Sequence, residues 1–385
     1  MSTRRMLRGS LLLLGSLAVA GLIVVFLALP GAAVEAAAQP QFMLIASGLD
    51  NPRGIAFGPE GAVYVAEAGR GGAGPCTTFE LFGGPVCFGP SGAVTRVVRG
   101  DQRRVATGLG SFAHPDGSSA FGPHDISFQH GGNAYVTVGG CFAGVTPAQG
   151  NCGGLFRLSG NGEPRLVADL NAFELQNNPD GQHPGESDPY SVLALPGERI
   201  VTDAAGNDLL RVGPDGRIST LAVFPQRLVP APPSLGLPPG TQLPMDSVPT
   251  PVVLGRDGAF YVGELTGFPF PVGGARIYRV VPGHAPQVFA DGFTNVIDIA
   301  FERDGSMLVL EIAKNSLLSD DPTGALIRLK RDGSRNTLLS EGLIHPTAVA
   351  VRGNAAYISN CGTCAGGGQV IRVSFGDNDA DGGDA

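Results

Sequence analysis

The sequence predicts an all-β chain closed into a six-bladed β-propeller with four-stranded blades. Three observations carry that prediction. A strand–turn–strand unit recurs six times, one strand of the last unit stands at the start of the chain, and Gly 59 with Pro 31 in 385 residues supplies the turns that many short strands need.

Each unit opens with a short apolar strand, usually introduced by proline: Pro52-Arg-Gly-Ile-Ala-Phe57, Pro123-His-Asp-Ile-Ser-Phe128, Pro189-Tyr-Ser-Val-Leu-Ala194, Pro249-Thr-Pro-Val-Val-Leu254, Val296-Ile-Asp-Ile-Ala-Phe301 and Pro346-Thr-Ala-Val-Ala-Val351. Tight turns follow, among them Pro59-Glu-Gly61, Arg256-Asp-Gly258 and Arg303-Asp-Gly305, where glycine supplies the positive φ of a hairpin. A second strand comes next: Val63–Val65, Ala134–Val136, Arg199–Val201, Phe260–Val262, Met307–Val309 and Ala356–Ile358. Third strands are expected at Ala93–Val98, Gly154–Leu158, Leu209–Val212, Arg276–Val280, Ala325–Leu329 and Gln369–Val373. Fourth strands follow at Arg104–Thr107, Arg165–Ala168, Ser219–Ala222, Gln287–Ala290 and Thr337–Ser340.

The sixth unit lacks a fourth strand of its own. Phe42-Met-Leu-Ile-Ala-Ser-Gly-Leu49 has the same pattern as Arg103-Arg-Val-Ala-Thr-Gly-Leu109 yet precedes the first unit. Placed beside Gln369–Val373, it joins the two ends of the chain and leaves no open sheet edge at the seam. A row of β-sandwiches also supplies many short strands but gives no reason for this displacement.

Residues 1–38 read as an export signal or N-terminal anchor. Arg4, Arg5 and Arg8 precede a nineteen-residue apolar run, Leu11 to Leu29, and small residues at Ala36–Ala38 suit cleavage. The propeller then occupies 39–375, and 376–385 is an acidic tail expected to be disordered. The expected location is periplasmic or extracellular, with membrane contact only if the N-terminal segment is uncleaved. Six cysteines in the exported body form three local pairs, Cys76/Cys87, Cys141/Cys152 and Cys361/Cys364, which in an oxidising compartment read as disulfides. A net charge of −8 with only two lysines, Lys314 and Lys330, argues against a nucleic-acid partner.

In a propeller, the loops joining second to third strands and those joining successive blades emerge on one face. The long segments 68–91, 139–153, 171–188, 225–248, 263–274 and 312–324 all belong to that face, so it is the expected working face. Its expected partner is a small molecule, a glycan or a protein.

At the ends of second strands stand Glu67, Asp203, Glu264 and Glu311, with Asn360 in the sixth unit and a gap at Val138 in the second. Converging on an axial channel, these oxygens would hold a hard cation such as Ca²⁺. Alternatively, each acid accepts backbone N–H bonds from its own turn. The opening strands add Arg53, His124, Asp125, Tyr190 and Asp298 to the same rim. His124 and Asp125 are the candidate catalytic residues, a general base with an orienting carboxylate, although neighbours on a strand point to opposite faces. The tail run Asp377-Asn-Asp379-Ala-Asp381 begins like a calcium loop but ends before its twelfth-position acid. The sequence carries neither a Gly-Xaa-Ser-Xaa-Gly elbow nor a phosphate-binding loop.

With Gly48-Leu-Asp-Asn-Pro-Arg-Gly-Ile-Ala-Phe-Gly-Pro59, Gly122-Pro-His-Asp-Ile-Ser127 and the cysteine-bearing loop after Tyr64-Val-Ala-Glu67 in view, residues 40–375 resemble the ScyD/ScyE family of exported propeller proteins. That resemblance implies a propeller and export, and it carries no catalytic set. Val201-Thr-Asp-Ala-Ala-Gly-Asn-Asp-Leu-Leu210 is similar to NHL-type and lactonase-like propellers, and the Gly-Leu-Xaa-Xaa-Pro-Xaa-Gly-Ile-Ala-Phe pattern looks like quinone-dependent sugar dehydrogenases. Two functional classes follow. One is an exported binding or assembly module working through its loop face; the other is an extracytoplasmic enzyme using the axial channel, either a metal-dependent hydrolase or lactonase or a quinone-dependent dehydrogenase.

Overall fold

A computed structural model describes residues 41–79, 84–129, 132–141, 144–182 and 185–375. The expected export segment and acidic tail lie outside the described residues. Among the described residues six antiparallel blade sheets follow one another along the chain, with one two-stranded sheet between the third and fourth, and the strand order within each of the six is that of a propeller blade. The innermost strands are Pro52–Phe57, Pro123–Gln129, Pro189–Leu195, Pro249–Leu254, Val296–Phe301 and Ala348–Arg352. Among the described residues no helix is long and apolar enough to cross a membrane.

The ring closes as the displaced strand requires. Gln41–Asp50 pairs antiparallel with Ala365–Ser374, placing Phe42 opposite Val373 and Leu49 opposite Gly368. Its inner half is packed, with Ala46 and Leu49 buried against Val65 and Val370, while Phe42, Met43 and Leu44 are exposed. The terminal strand therefore contributes both backbone pairing and apolar burial to blade 6.

Burial explains why the strands differ in composition. A second strand such as Phe260–Glu264 is covered on both faces by neighbouring blades, and all five residues are buried. The outer strand Gln287–Phe293 of the same blade is largely exposed. Aromatic rings close the seams between blades: Phe57 against Tyr357, Tyr64 against Phe128 and Tyr261 against Phe301, with centroids 5.0, 4.7 and 5.2 Å apart.

The innermost strands have no sheet neighbour on the axial side, so their carbonyls need other donors. Hydroxyls supply them across the seams. Thr137 donates to the Tyr190 carbonyl, Thr202 to Thr250 at 2.7 Å, Ser359 to Arg53 at 2.6 Å, Thr250 to Val296 at 2.8 Å and Thr347 to Pro52 at 2.7 Å.

Blade 1 departs from the expected strand bounds. Its third strand runs over Gly84–Val98 and its fourth over Asp101–Ala113, and the added strand Cys76–Phe79 makes the sheet five-stranded. Much of segment 68–91 is therefore sheet. The register places Cys76 opposite Cys87, so the disulfide holds the added strand at its start. Two other long segments also carry structure: helix Leu170–Asn177 after blade 2, capped by Asp169 accepting the Ala172 N–H at 2.8 Å, and a hairpin of Arg227–Pro230 with Gln242–Met245 after blade 3. All three expected disulfides are present, Cys76–Cys87, Cys141–Cys152 and Cys361–Cys364.

Candidate functional site

Residues at or just before the starts of the innermost strands meet at the axis. His124, Asp125, Tyr190 and Asp298 line one cavity there with Gly54 and Thr347, and all six blades contribute to its wall. Its volume is about 20 Å³. That is room for a single water molecule, against the several hundred cubic ångströms of an ordinary ligand site.

Arg53 is buried beside this cavity and is held entirely by carbonyls, of Gly362, Ala120 at 2.8 Å and Pro52 at 3.3 Å. Burial pushes its own pKa down, opposed by the neighbouring Tyr190 and Asp188. The Tyr190 phenol is pushed up by burial. Its ring stacks on the His124 imidazole at 4.7 Å.

Burial and the Arg53 charge push His124 down to about 3. The imidazole is therefore neutral at pH 7, and its Nδ1–H points at the Pro189 carbonyl at 3.2 Å. A group held so far below neutrality is a weak general base. The carboxylate beside it is Asp188, whose Oδ1 lies 3.5 Å from Nδ1. Burial, with Asp203 adding, pushes Asp188 up to about 7.

Asp125 faces away from the imidazole. Its Oδ2 accepts from Ser191 Oγ at 2.8 Å and the Val192 N–H at 2.9 Å, and its Oδ1 accepts the Ile126 N–H at 2.8 Å. Asp298 repeats this arrangement between blades 5 and 6, accepting the N–H groups of Ile299 at 2.8 Å and Val349 at 2.7 Å. Burial raises both, Asp125 to about 6 and Asp298 well above the usual carboxylate range. Each carboxyl thus ties its own inner strand to that of the next blade.

The acids at the ends of second strands are held separately. Glu67 accepts the Asp50 N–H at 2.8 Å and Arg104 at 2.7 Å; Asp203 accepts Ser187 Oγ at 2.6 Å and the N–H groups of Asp188 and Gly206 at 2.7 and 3.0 Å. Glu264 takes Arg227 at 2.5 Å, Tyr278 Oη at 2.8 Å and Ser247 Oγ at 2.9 Å, while Glu311 takes the Thr294 N–H at 2.7 Å. Asn360 occupies the same place in blade 6, accepting the Ile344 N–H at 2.7 Å. In blades 1, 3, 5 and 6 the bonded N–H belongs to the connection that leads into the same blade. Burial pushes Glu311 up to about 7 and raises Asp203 and Glu264 as well. Among the described residues no three His, Cys, Asp or Glu side chains converge as a metal set.

Of the rim residues expected from sequence, the structure brings His124, Asp125, Tyr190 and Asp298 together, with Arg53 adjoining. Asn360 and the four acids belong to the blade connections. Sequence reasoning missed Asp188, Arg104 and Arg227. Asp188 precedes the proline of an inner strand, a position that could have been read; the two arginines reach their acids from other strands or an inserted hairpin, and no local pattern marks them.

The sequence matches no family model and no curated protein. Solved structures share the fold. A protein of unknown function from Bacteroides thetaiotaomicron aligns with a TM-score of 0.53 at 10% identity, covering 88% of this chain and 72% of that one. The quinone-bound (PQQ) aldose sugar dehydrogenase of Streptomyces coelicolor aligns at 0.50 and 12% identity over 88% and 99% of the two chains. A candidate gluconolactonase aligns at 0.50 and 12% identity over 88% and 93%.

Proposed function

We propose that this chain is an exported binding module of the ScyD/ScyE type that presents its long-loop face to a protein partner. The observation that carries this reading is the closed axis. A cavity of about 20 Å³ walled by six blades admits no sugar or lactone, and its acids are engaged between neighbouring blades. The disulfides support the rest, since each staples a connection on the long-loop face and suits an oxidising compartment. The same face exposes Leu228, Val272, Leu318 and Ile344, apolar side chains spread over loops of blades 3 to 6. Apolar side chains exposed on several loops of one face are groups that a protein partner would bury.

The test compares two variants. Cross-linking in the native exported fraction is expected to yield a defined complex that is lost with Leu228→Ser, Val272→Ser and Ile344→Ser combined and kept with His124→Ala. Gluconolactone hydrolysis with added divalent metal and quinone-dependent aldose oxidation are expected at background rates. Turnover abolished by Asp125→Asn would overturn the reading in favour of an axial-site enzyme.

A further inference from the structure

Helix Leu170–Asn177 carries Glu174, which is 2% exposed and whose carboxyl rests on the turn between Asp203 and Asp208. A β carbon at Gly206 in that turn would meet Glu174 Cδ at 2.9 Å and its two oxygens at 3.1 and 3.2 Å. Only glycine leaves the carboxyl this room. Asp208, which opens strand Asp208–Val212, is fully buried, and neither of its carboxylate oxygens has a hydrogen-bond partner; Glu174 Oε1 is equally without one. The two carboxyls lie close enough for one to bond the other if it held a proton.

The surroundings deepen the problem. Asp203 and Asp180 act on both carboxyls, and both carry the same sign. Burial, with these two charges, pushes Glu174 up to about 8 and Asp208 well above its usual range. The neighbours are themselves satisfied, Asp203 by Ser187 and backbone N–H groups, Asp180 by Asn207 Nδ2 at 3.0 Å and the Gln182 N–H at 2.8 Å. Elsewhere on this face the chain supplies a guanidinium, Arg104 to Glu67 and Arg227 to Glu264. Among the described residues no guanidinium reaches this pair. Buried carboxylates need an offsetting positive charge, and three unpartnered oxygens facing one another are acceptors for one.

We propose that Glu174 and Asp208 bind one Ca²⁺, which fastens helix Leu170–Asn177 to blade 3. All the protein groups offered are oxygens, which selects a hard cation, and backbone carbonyls and water complete a Ca²⁺ shell that two carboxylates leave open.

Full-length protein stripped with chelator is dialysed against Ca²⁺ and its metal content measured. One Ca²⁺ per chain is expected, with a Tm rise of about 3–4 °C at free Ca²⁺ a hundredfold above its Kd. Both effects should vanish in Glu174→Gln and in Asp208→Asn. They should persist in Glu311→Gln and in a chain carrying Asp377→Asn, Asp379→Asn and Asp381→Asn. No Ca²⁺ uptake by wild type overturns the proposal and leaves a shared proton between the two carboxyls, as does undiminished uptake by both single variants. If a variant fails to fold, hydrogen exchange on wild type decides. Ca²⁺ is then expected to slow amide exchange at least tenfold in Leu170–Asn177 and residues 203–208, and uptake without that slowing overturns the proposal.

Discussion

A β carbon on Gly54 would lie 2.1 Å from Oδ1 of Asp125 and 2.7 Å from its α carbon. Blade 1 therefore approaches blade 2 at this point only because position 54 has no side chain. Asp125 uses its other oxygen to hold Ser191 and Val192 of blade 3, so three inner strands meet through one glycine and one carboxylate. Gly54→Ala is expected to cost about 2–3 kcal/mol, because the clash includes backbone that no rotamer change relieves. Urea denaturation checks this; a cost below about 1 kcal/mol would show that the seam relaxes and is not set by this contact.

The N-terminal strand should be worth much of the ring's stability. Removing residues 39–49 takes Ala46 and Leu49 from the core between blades 6 and 1 and bares the edge of Ala365–Ser374. The expected loss is on the order of 5 kcal/mol, from apolar burial and sheet pairing together. Thermal melting of the truncated chain at the wild-type temperature would show that the strand does not hold the ring closed.

The disulfides should differ in value by loop length. Cys141 and Cys152 close a loop with a sequence separation of 11, and Cys152 is fully buried in the core of blades 1 and 2. Replacing both by serine is expected to cost about 3 kcal/mol from loop entropy, with the buried hydroxyl adding to that. Cys361 and Cys364 are separated by 3, and the same replacement there should cost about 1.5–2 kcal/mol. Parallel urea titrations give the order, and equal costs would mean that chain entropy does not set it.

Stability should fall as pH rises from about 6.5 to about 8. Burial holds Asp188 and Glu311 up to about 7 and Glu174 to about 8, whereas in the unfolded chain these groups ionise near pH 4. In this window the folded chain holds protons that the unfolded chain has lost since about pH 4, so stability keeps falling until each folded group deprotonates, near 7 for Asp188 and Glu311 and near 8 for Glu174. His124, held down to about 3, acts in the opposite sense: it favours unfolding as pH falls below about 6.5, outside the window. In chelator-containing buffer Tm is therefore expected to decline between pH 6.5 and 8. Glu311→Gln keeps an oxygen for the Thr294 N–H, so its decline should be shallower and its Tm at pH 8 above that of wild type. A flat wild-type curve would mean that these carboxyls are already ionised in the folded chain.

The strand order, the closure by Phe42–Leu49 and the local cysteine pairs were legible in the sequence because each depends on short-range information. A period-two apolar strand, a glycine turn and a proline start are written within a few residues, and their sixfold recurrence determines the ring. His124, Asp125, Tyr190 and Asp298 were legible as one group because all stand near the starts of strands that the repeat places innermost. The direction of a side chain at the end of a strand was not legible. Glu67 and Glu264 find Arg104 and Arg227, Asp203 finds the turn that leads into its own blade, and none of the three lines the axial cavity. The meeting of Glu174 with Asp208 was hidden too, because it depends on where an eight-residue helix settles over blade 3. Sequence alone determined the repeat and its closure. Only tertiary packing decided which buried acid met a guanidinium, an N–H group or another acid, because desolvation and hydrogen bonding act between groups that only the folded ring brings together.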